Sequence, residues 1–310
     1  RGRIEGAARR RERIDGTAYR VVHAEADGLP SLVVDRYGPC AVAQLLSAGL
    51  EAVRDPVLDA IEAVLAPEAI VLRHDVPVRR YERLPLDIEV PRGRAPERIE
   101  VAEGEVRFLV DPRRGQKTGA FLDQRENRAL AGRLARGRAL DAFTYEGGFA
   151  LHLARSAAHV LAVDQSAASL ARARENAALA GVENVEWREA NAFDLLRTLE
   201  AEGARFDVVV LDPPAFAKSR ATLPRALRGY KEINLRAMRL LAAEGHLLTF
   251  SCSYHVGRDA FGRMLADAAA DSGRRIVLER PLGQSADHPE VLTIPETGYL
   301  KGALLRAAGA

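Results

Sequence analysis

The sequence predicts an α/β protein in which a small α+β domain precedes a mostly parallel, seven-stranded sheet with helices on both faces. Three observations carry this. After Leu130, short apolar runs alternate regularly with helical stretches, the pattern of right-handed βαβ crossovers and a sheet buried on both sides. Before about Pro91 the signals are mixed. The chain has 310 residues, which suits two domains at roughly 100–200 residues each.

Composition narrows the classes. A hydrophobic fraction of 47% with 28% charged residues is that of a globular protein. No run approaches ~20 apolar residues, and no charged-then-apolar leader is visible. A membrane span and a signal peptide are therefore not expected, and the expected location is cytoplasmic. Cys40 and Cys252, the two cysteines, are too few for a disulfide framework or a zinc cluster, so no metal is expected. The net charge of +2 is a weak signal for nucleic acid, and arginine abundance argues less than arginine clustering. A chain opening on Arg1 reads as a fragment or processed form. A homodimer is compatible with all of this.

Taken in order, residues 1–18 read as a basic linker or helix, with Gly16 as its stop; solvated surface and a nucleic-acid contact are the two readings. Residues 19–115 form the small domain. "YRVVHAEADG" and "LPSLVVDRYG" are strands joined through Asp27-Gly28. "CAVAQLLS" is a third strand, and "DPVLDAIEAVLA" a helix with Asp55 as N-cap and Pro56 at its first position. "AIVLRHD" returns to strand. "EVPRGRAPER" reads as a link, and "IEVAEGEVRFLVDP" as a hairpin. Residues 116–310 hold strands at "RALDAF", "HVLAVD", "NVEWREA", "FDVVVLD" and "GHLLTFSC", with helices at 148–156, 166–180, 192–201 and 231–242. A helix at 258–271, "RIVLER" and "YLKGALLR" complete the domain.

Ligands of open α/β sheets bind beyond the carboxyl ends of the strands, so the residues delivered there matter. The first strand delivers Thr144 to Gly148 in "DAFTYEGGF", the second Asp164, the third Asn191, the fourth Asp212-Pro213-Pro214 and the fifth Cys252. Gly147 and Gly148 allow a ligand close to the backbone. The turn lacks the G-x-G-x-x-G spacing of a pyrophosphate site, and Asp141 and Glu146 would repel phosphates but tolerate a sulfonium and an amino group. Asp164, about 20 residues beyond the turn, suits the two hydroxyls of a ribose, its other reading being a helix N-cap. Asn191 suits an adenine amino group or, again, a cap. Two prolines after an apolar strand make a rigid shelf that holds Asp212 at the mouth of the cleft.

Together these residues resemble the class I S-adenosylmethionine-dependent methyltransferases, with their Rossmann-like sheet. "YRVVHAEADGLPSLVVDRYG", "GQKTGAFLDQRENR", "DAFTYEGGF", "LDPPAFAKS" and "SCS" look like the bacterial large-subunit ribosomal RNA methyltransferases that make 5-methylcytosine, over nearly all of Tyr19 to Arg306. Members usually carry an N-terminal PUA RNA-binding domain, then a small middle domain, then the catalytic domain. The resemblance implies that the PUA domain is absent here and that the basic opening segment is the tail that followed it. The implied cofactor is S-adenosyl-L-methionine and the implied partner large-subunit ribosomal RNA. The implied cofactor residues are Lys117, Phe121, Asp123, Arg125, Asp141, Phe143, Thr144, Tyr145, Gly147, Gly148, Asp164, Asn191, Ala192, Asp212 and Pro213.

Within this resemblance Cys252 has a role. Carbon 5 of cytosine is a poor nucleophile until a thiolate adds to carbon 6. Cys252 is expected to attack while Asp212, carrying or sharing a proton, supports ring nitrogen 3, with Ser251 and Ser253 orienting the thiol or its neighbours. Cys40, in an apolar strand, is expected to be inert, and His255 to be structural. The stretch with Lys117, Phe121, Asp123 and Arg125 is expected either near the methionine part of the cofactor, where the resemblance implies that Arg125 pairs its carboxylate, or in an interdomain salt-bridge network. Two basic groups border the cleft, one of Arg113, Arg114, Lys117 and Arg125, the other a long connection with Lys218, Arg220, Arg225, Arg228 and Lys231. Phosphate contact is one reading and solvated surface the other; the target base would have to be flipped out. The rival functions are nitrogen methylation of an RNA guanine, which needs no cysteine, and a non-catalytic RNA-binding or ribosome-assembly factor. Adenine amine methylation is disfavoured because Ala215 precedes Phe216, and a dehydrogenase is a distant fourth.

Overall fold

The computed structural model describes residues 1–217 and 219–309. They divide into two compact units, Arg1–Arg125 with Ser285–Gly298, and Glu126–Gln284 with Tyr299–Ala310. No helix among the described residues is long and apolar enough to cross a membrane.

The first unit is built on a five-stranded sheet. The opening segment folds as α1 (Gly2–Arg9), burying Ile4 and Ala7. Strands β1 (Ala18–His23) and β2 (Leu32–Tyr37) form the expected hairpin, and Gly28 takes the left-handed conformation at φ 67°. β3 (Cys40–Leu45) follows, then the single turn α2 (Ala48–Glu51) and α3 (Arg54–Leu65). Val53, not Asp55, caps α3, so Asp55 and Pro56 both lie in its first turn; acid and proline are favourable there as well. β4 (Ala69–Arg73) pairs parallel to β3, and both are buried throughout. Part of the supposed Pro/Arg link is a strand, β5 (Ile88–Gly93), antiparallel to β4 at the sheet edge. An edge leaves one side of the backbone unpaired, which is where Pro91 is tolerated. β6 (Ile99–Glu103) and β7 (Val106–Val110) form the hairpin. One core joins Ile4 and Ala7 to Leu58 and Ile61 under the sheet, and a second joins Val42 and Val71 to Val101, Val110 and Leu122.

Helix α4 (Arg125–Leu134) leads into the second unit. There β8 (Arg138–Ala142), α5 (Gly148–Ala154), β9 (His159–Asp164), α6 (Ala167–Ala180), β10 (Val185–Glu189), α7 (Ala192–Ala201) and β11 (Phe206–Leu211) alternate as predicted. α8 (Leu223–Leu240), β12 (Leu241–Ser251), α9 (Arg258–Ser272), β13 (Ile276–Leu282) and β14 (Lys301–Ala307) follow. The sheet order is β10-β9-β8-β11-β12-β14-β13, parallel from β10 to β12, with β14 antiparallel between β12 and β13. Alternate residues of one strand serve opposite faces. Val209 and Leu211 enter the core with α7, α8 and α9, whereas Val208 and Val210 enter the core with α4 and α5. Strand order reverses between β8 and β11, and an α/β sheet opens its ligand crevice at such a switch point.

Candidate active site

Asp141 pairs in register with Ala162 of β9 and Val210 of β11, so it lies inside the sheet at the switch point. Its Oδ2 accepts the Thr144 hydroxyl at 2.5 Å, while its buried Oδ1 has no hydrogen-bond partner. Burial pushes this carboxyl up to about 7; the Thr144 bond opposes that, and the charges of Asp212 and Asp164 reinforce it. Three acids thus gather where β8, β9 and β11 end. A buried acid with an unpartnered oxygen, flanked by two more, fits a cation and disfavours a pyrophosphate.

The turn after β8 is unusual backbone. Phe143, Tyr145 and Gly147 take positive φ values of 69°, 52° and 87°, a conformation that costs a non-glycine residue about 1–3 kcal/mol. Hydrogen bonds hold it, among them one from Asn176 Nδ2 to the Glu146 carbonyl at 3.0 Å. Thr144 N–H donates to the Val163 carbonyl at 2.8 Å, Tyr145 N–H to Asp164 Oδ2 at 2.9 Å, and Gly147 N–H to the Thr144 carbonyl at 2.9 Å. A Cβ at Gly147 would lie 2.9 Å from the Trp187 ring, and one at Gly148 3.2 Å from Arg128.

Asp164 does not cap α6. Ser166 does, accepting the Ser169 N–H at 3.2 Å, while Asp164 accepts the N–H groups of Tyr145 and Ser166, each at 2.9 Å. The acid braces the turn, and each carboxylate oxygen keeps a second acceptor direction. Asn191 does cap α7, its Oδ1 accepting the Phe193 N–H at 2.9 Å, with Ala192 as the first helical residue.

Asp212-Pro213-Pro214 leaves β11 half-buried at Asp212 and buried at Pro213. Cys252, half-buried just past β12, lies 3.9 Å from the Pro213 carbonyl through its Sγ. Ser253 ties the two segments together. Its hydroxyl accepts the Ala217 N–H at 3.1 Å and pairs with the Tyr230 hydroxyl at 2.9 Å. The Tyr230 ring lies 4.5 Å from that of Phe216, which is 5.7 Å from Phe193 and 6.5 Å from Phe143. An aromatic cluster thus supports the shelf from below. Lys301 opens β14 opposite Ser251, and its Nζ donates to the carbonyls of Ser253 and Tyr299, both at 2.7 Å. Sequence reasoning missed Lys301, Tyr230 and Trp187. The visible signal for Lys301 was a lysine opening the strand in "YLKGALLR".

Other expectations change. Arg125 pairs with Asp287 within the first unit at 2.9 and 3.1 Å, both side chains buried. Lys117 pairs with Asp123 at 2.6 Å and lies over the Phe121 ring. Both pairs lie within the first unit, so they are not the interdomain network of the second reading. Arg113 donates to the Ala95 carbonyl at 3.0 Å, while Arg114 is exposed. Arg225, Arg228 and Lys231 stand on α8 rather than on a long connection, because Pro224 starts that helix early. Lys231 pairs with Asp271 at 2.7 Å, whereas Arg220, Arg225 and Arg228 are exposed; Lys218 lies outside the described residues. Cys40 is buried in β3, where burial raises its thiol. His255 meets the exposed Tyr254 ring edge-on at 5.4 Å.

A parallel sheet with one reversed strand, β14, next to its edge, an acidic crevice at the switch point and a glycine turn beside it define a methyltransferase that takes its methyl group from a sulfonium. The chain belongs to the S-adenosylmethionine-dependent methyltransferase family, whose model matches residues 45–306, and S-adenosylmethionine is its methyl donor. It is 44% identical over 295 residues to ribosomal RNA large subunit methyltransferase I of Shewanella amazonensis, covering 94% of this chain and 74% of the relative. The protein of that name from Aeromonas hydrophila is 44% identical over 297 residues, covering 94% and 75%. Among solved structures, the methyltransferase SMU.776 complexed with SAH superposes with a TM-score of 0.85 at 18% identity, over 99% of this chain and 80% of that one. The SAM-dependent methyltransferase from Agrobacterium tumefaciens gives 0.66 at 17% identity, over 95% and 90%. At those identities the two structures speak for the fold alone.

Proposed function

We propose that this protein methylates carbon 5 of a cytosine in large-subunit ribosomal RNA through a covalent adduct on Cys252. One observation carries the reading: a half-buried cysteine stands 3.9 Å from the Pro213 carbonyl of the Asp-Pro-Pro shelf, so the thiol lies beside the segment that carries Asp212. The names of the relatives support ribosomal RNA as the substrate, and exposed Arg220, Arg225 and Arg228 suit phosphates.

S-adenosylmethionine, when bound, supplies an electrophilic methyl group on a cationic sulfur. Asp141 and Thr144 would hold its amino group, the backbone from Phe143 to Gly148 would line its path, Asp164 would take the ribose hydroxyls, and Asn191 and Ala192 would meet the adenine. The Cys252 thiolate forms a bond to carbon 6 of the flipped cytosine, and Asp212 shares a proton with ring nitrogen 3 as electron density moves to carbon 5. Carbon 5 gains the methyl group and loses its proton to a base. The electrons of that C–H bond restore the ring double bond and expel the sulfur of Cys252.

Nucleoside mass spectrometry tests this. Unmethylated ribosomal RNA is incubated with S-adenosylmethionine and the protein or its Cys252→Ala variant. New 5-methylcytidine with the parent alone is expected. Methyl transfer that survives Cys252→Ala would overturn the thiol mechanism and favour a nitrogen acceptor such as guanine. Cofactor binding without transfer would favour a binding or assembly role.

A further inference from the structure

β14 runs antiparallel beside β12 with Lys301 opposite Ser251, so a lysine is delivered to the strand end that carries the cysteine. Its side chain is 5% exposed. Both hydrogen bonds from its amine go to backbone carbonyls, and it makes no ion pair among the described residues. A buried ammonium with only dipoles for company is costly unless an anion stands near. The group beside it that can become one is the Cys252 thiol. We propose that Lys301 is a positioning residue that holds the Cys252 thiol as a thiolate, an inference that rests on Cys252 being the nucleophile.

Besides each other, Lys301 and Cys252 have three charged or titratable groups around them: Arg258 from α9, Tyr230 from α8, and Asp212 on the shelf after β11, whose charge opposes a thiolate. Burial brings the Lys301 amine down to about 8; Cys252 opposes this and Arg258 reinforces it. The coupling is mutual, since the anion that keeps the amine charged is itself favoured by the ammonium. Burial raises the Tyr230 hydroxyl, so it stays a neutral donor or acceptor. The S–H bond breaks, its proton passes to the neutral amine or to water, and the electron pair stays on sulfur, ready to bond to carbon 6. The competing role is mechanical: an amine clasping two carbonyls to close the strand ends.

The pH dependence of Cys252 alkylation by iodoacetamide, read by peptide mapping to separate it from Cys40, decides between these. In the parent the midpoint should lie below the ordinary thiol value of about 8.5. Lys301→Met should raise it by about one unit, slowing alkylation at neutral pH roughly tenfold, while Lys301→Arg keeps it low. The pH profile of kcat/KM should move with it, with cofactor affinity unchanged. An ordinary midpoint in the parent would overturn the proposal even if no variant folds, and so would an unmoved midpoint in folded Lys301→Met. An acidic, Lys301-dependent thiol combined with full transfer by Cys252→Ala would retain the coupling and remove the nucleophile.

Discussion

Asp287 in the first unit and Asp141 in the second are equally hidden, 1% and 0% exposed, yet they meet opposite electrostatic fates. Asp287 receives two bonds from the Arg125 guanidinium, one from the Arg20 N–H at 2.8 Å and one from His288 Nδ1 at 3.0 Å. Burial alone would raise its carboxyl, but His288 and Arg125 hold it well below the usual range. Asp141 has the Thr144 hydroxyl and an unpartnered Oδ1, and rises to about 7. A buried acid that the protein satisfies is architecture. One with an unpartnered oxygen and two more acids beside it suits a cation from outside.

The largest break in this contrast should come from Asp287→Ala, which removes the buried carboxylate to which the Arg125 guanidinium and the Arg20 N–H donate. We expect a loss of about 3–5 kcal/mol, read by urea unfolding. Asp141→Asn should leave stability unchanged or higher, yet weaken S-adenosylmethionine about tenfold or more in calorimetry, the scale of a charge-assisted hydrogen bond. Equal destabilisation by both variants would erase the distinction.

Titration sharpens it. Asp287 is depressed in the fold, so its stabilisation is complete above the unfolded carboxyl value of about 3.9 and lost as pH falls below it. Asp141 is raised, so its contribution runs the other way: favourable in acid and lost as pH climbs from about 4 to 7. A bound cation should ionise Asp141 and release protons near neutrality. Affinity should therefore rise with pH up to about 7, and binding heats should vary with the ionisation enthalpy of the buffer; buffer-independent heats would refute this. Smaller again, Gly147→Ala should cost about 1–3 kcal/mol for its left-handed backbone. Tyr230→Phe should cost about 1 kcal/mol for its bond to Ser253, both seen as lowered melting temperatures.

What sequence made legible was whatever lies within one βαβ unit. Local period and turn chemistry placed β8, β9, β11 and their end residues, because strand, turn and helix there are consecutive. The misses are long-range. Asp287 reaches Arg125 across 162 positions, and Lys301 reaches the Ser253 carbonyl, next to Cys252, only because β14 inserts between β12 and β13. The helix cap at Val53 and the strand at β5 were hidden for another reason: local propensity pointed elsewhere and tertiary pairing prevailed.

Ser253 shows what such convergence does to inheritance. Its hydroxyl serves Ala217 and Tyr230, and its carbonyl serves Lys301. Loss of that hydroxyl perturbs the shelf and its aromatic support in a single step, whereas the carbonyl is backbone and keeps its bond to Lys301 whatever side chain stands there. Divergence around this reaction would instead proceed at the exposed arginines of α8, where each side chain can be exchanged alone.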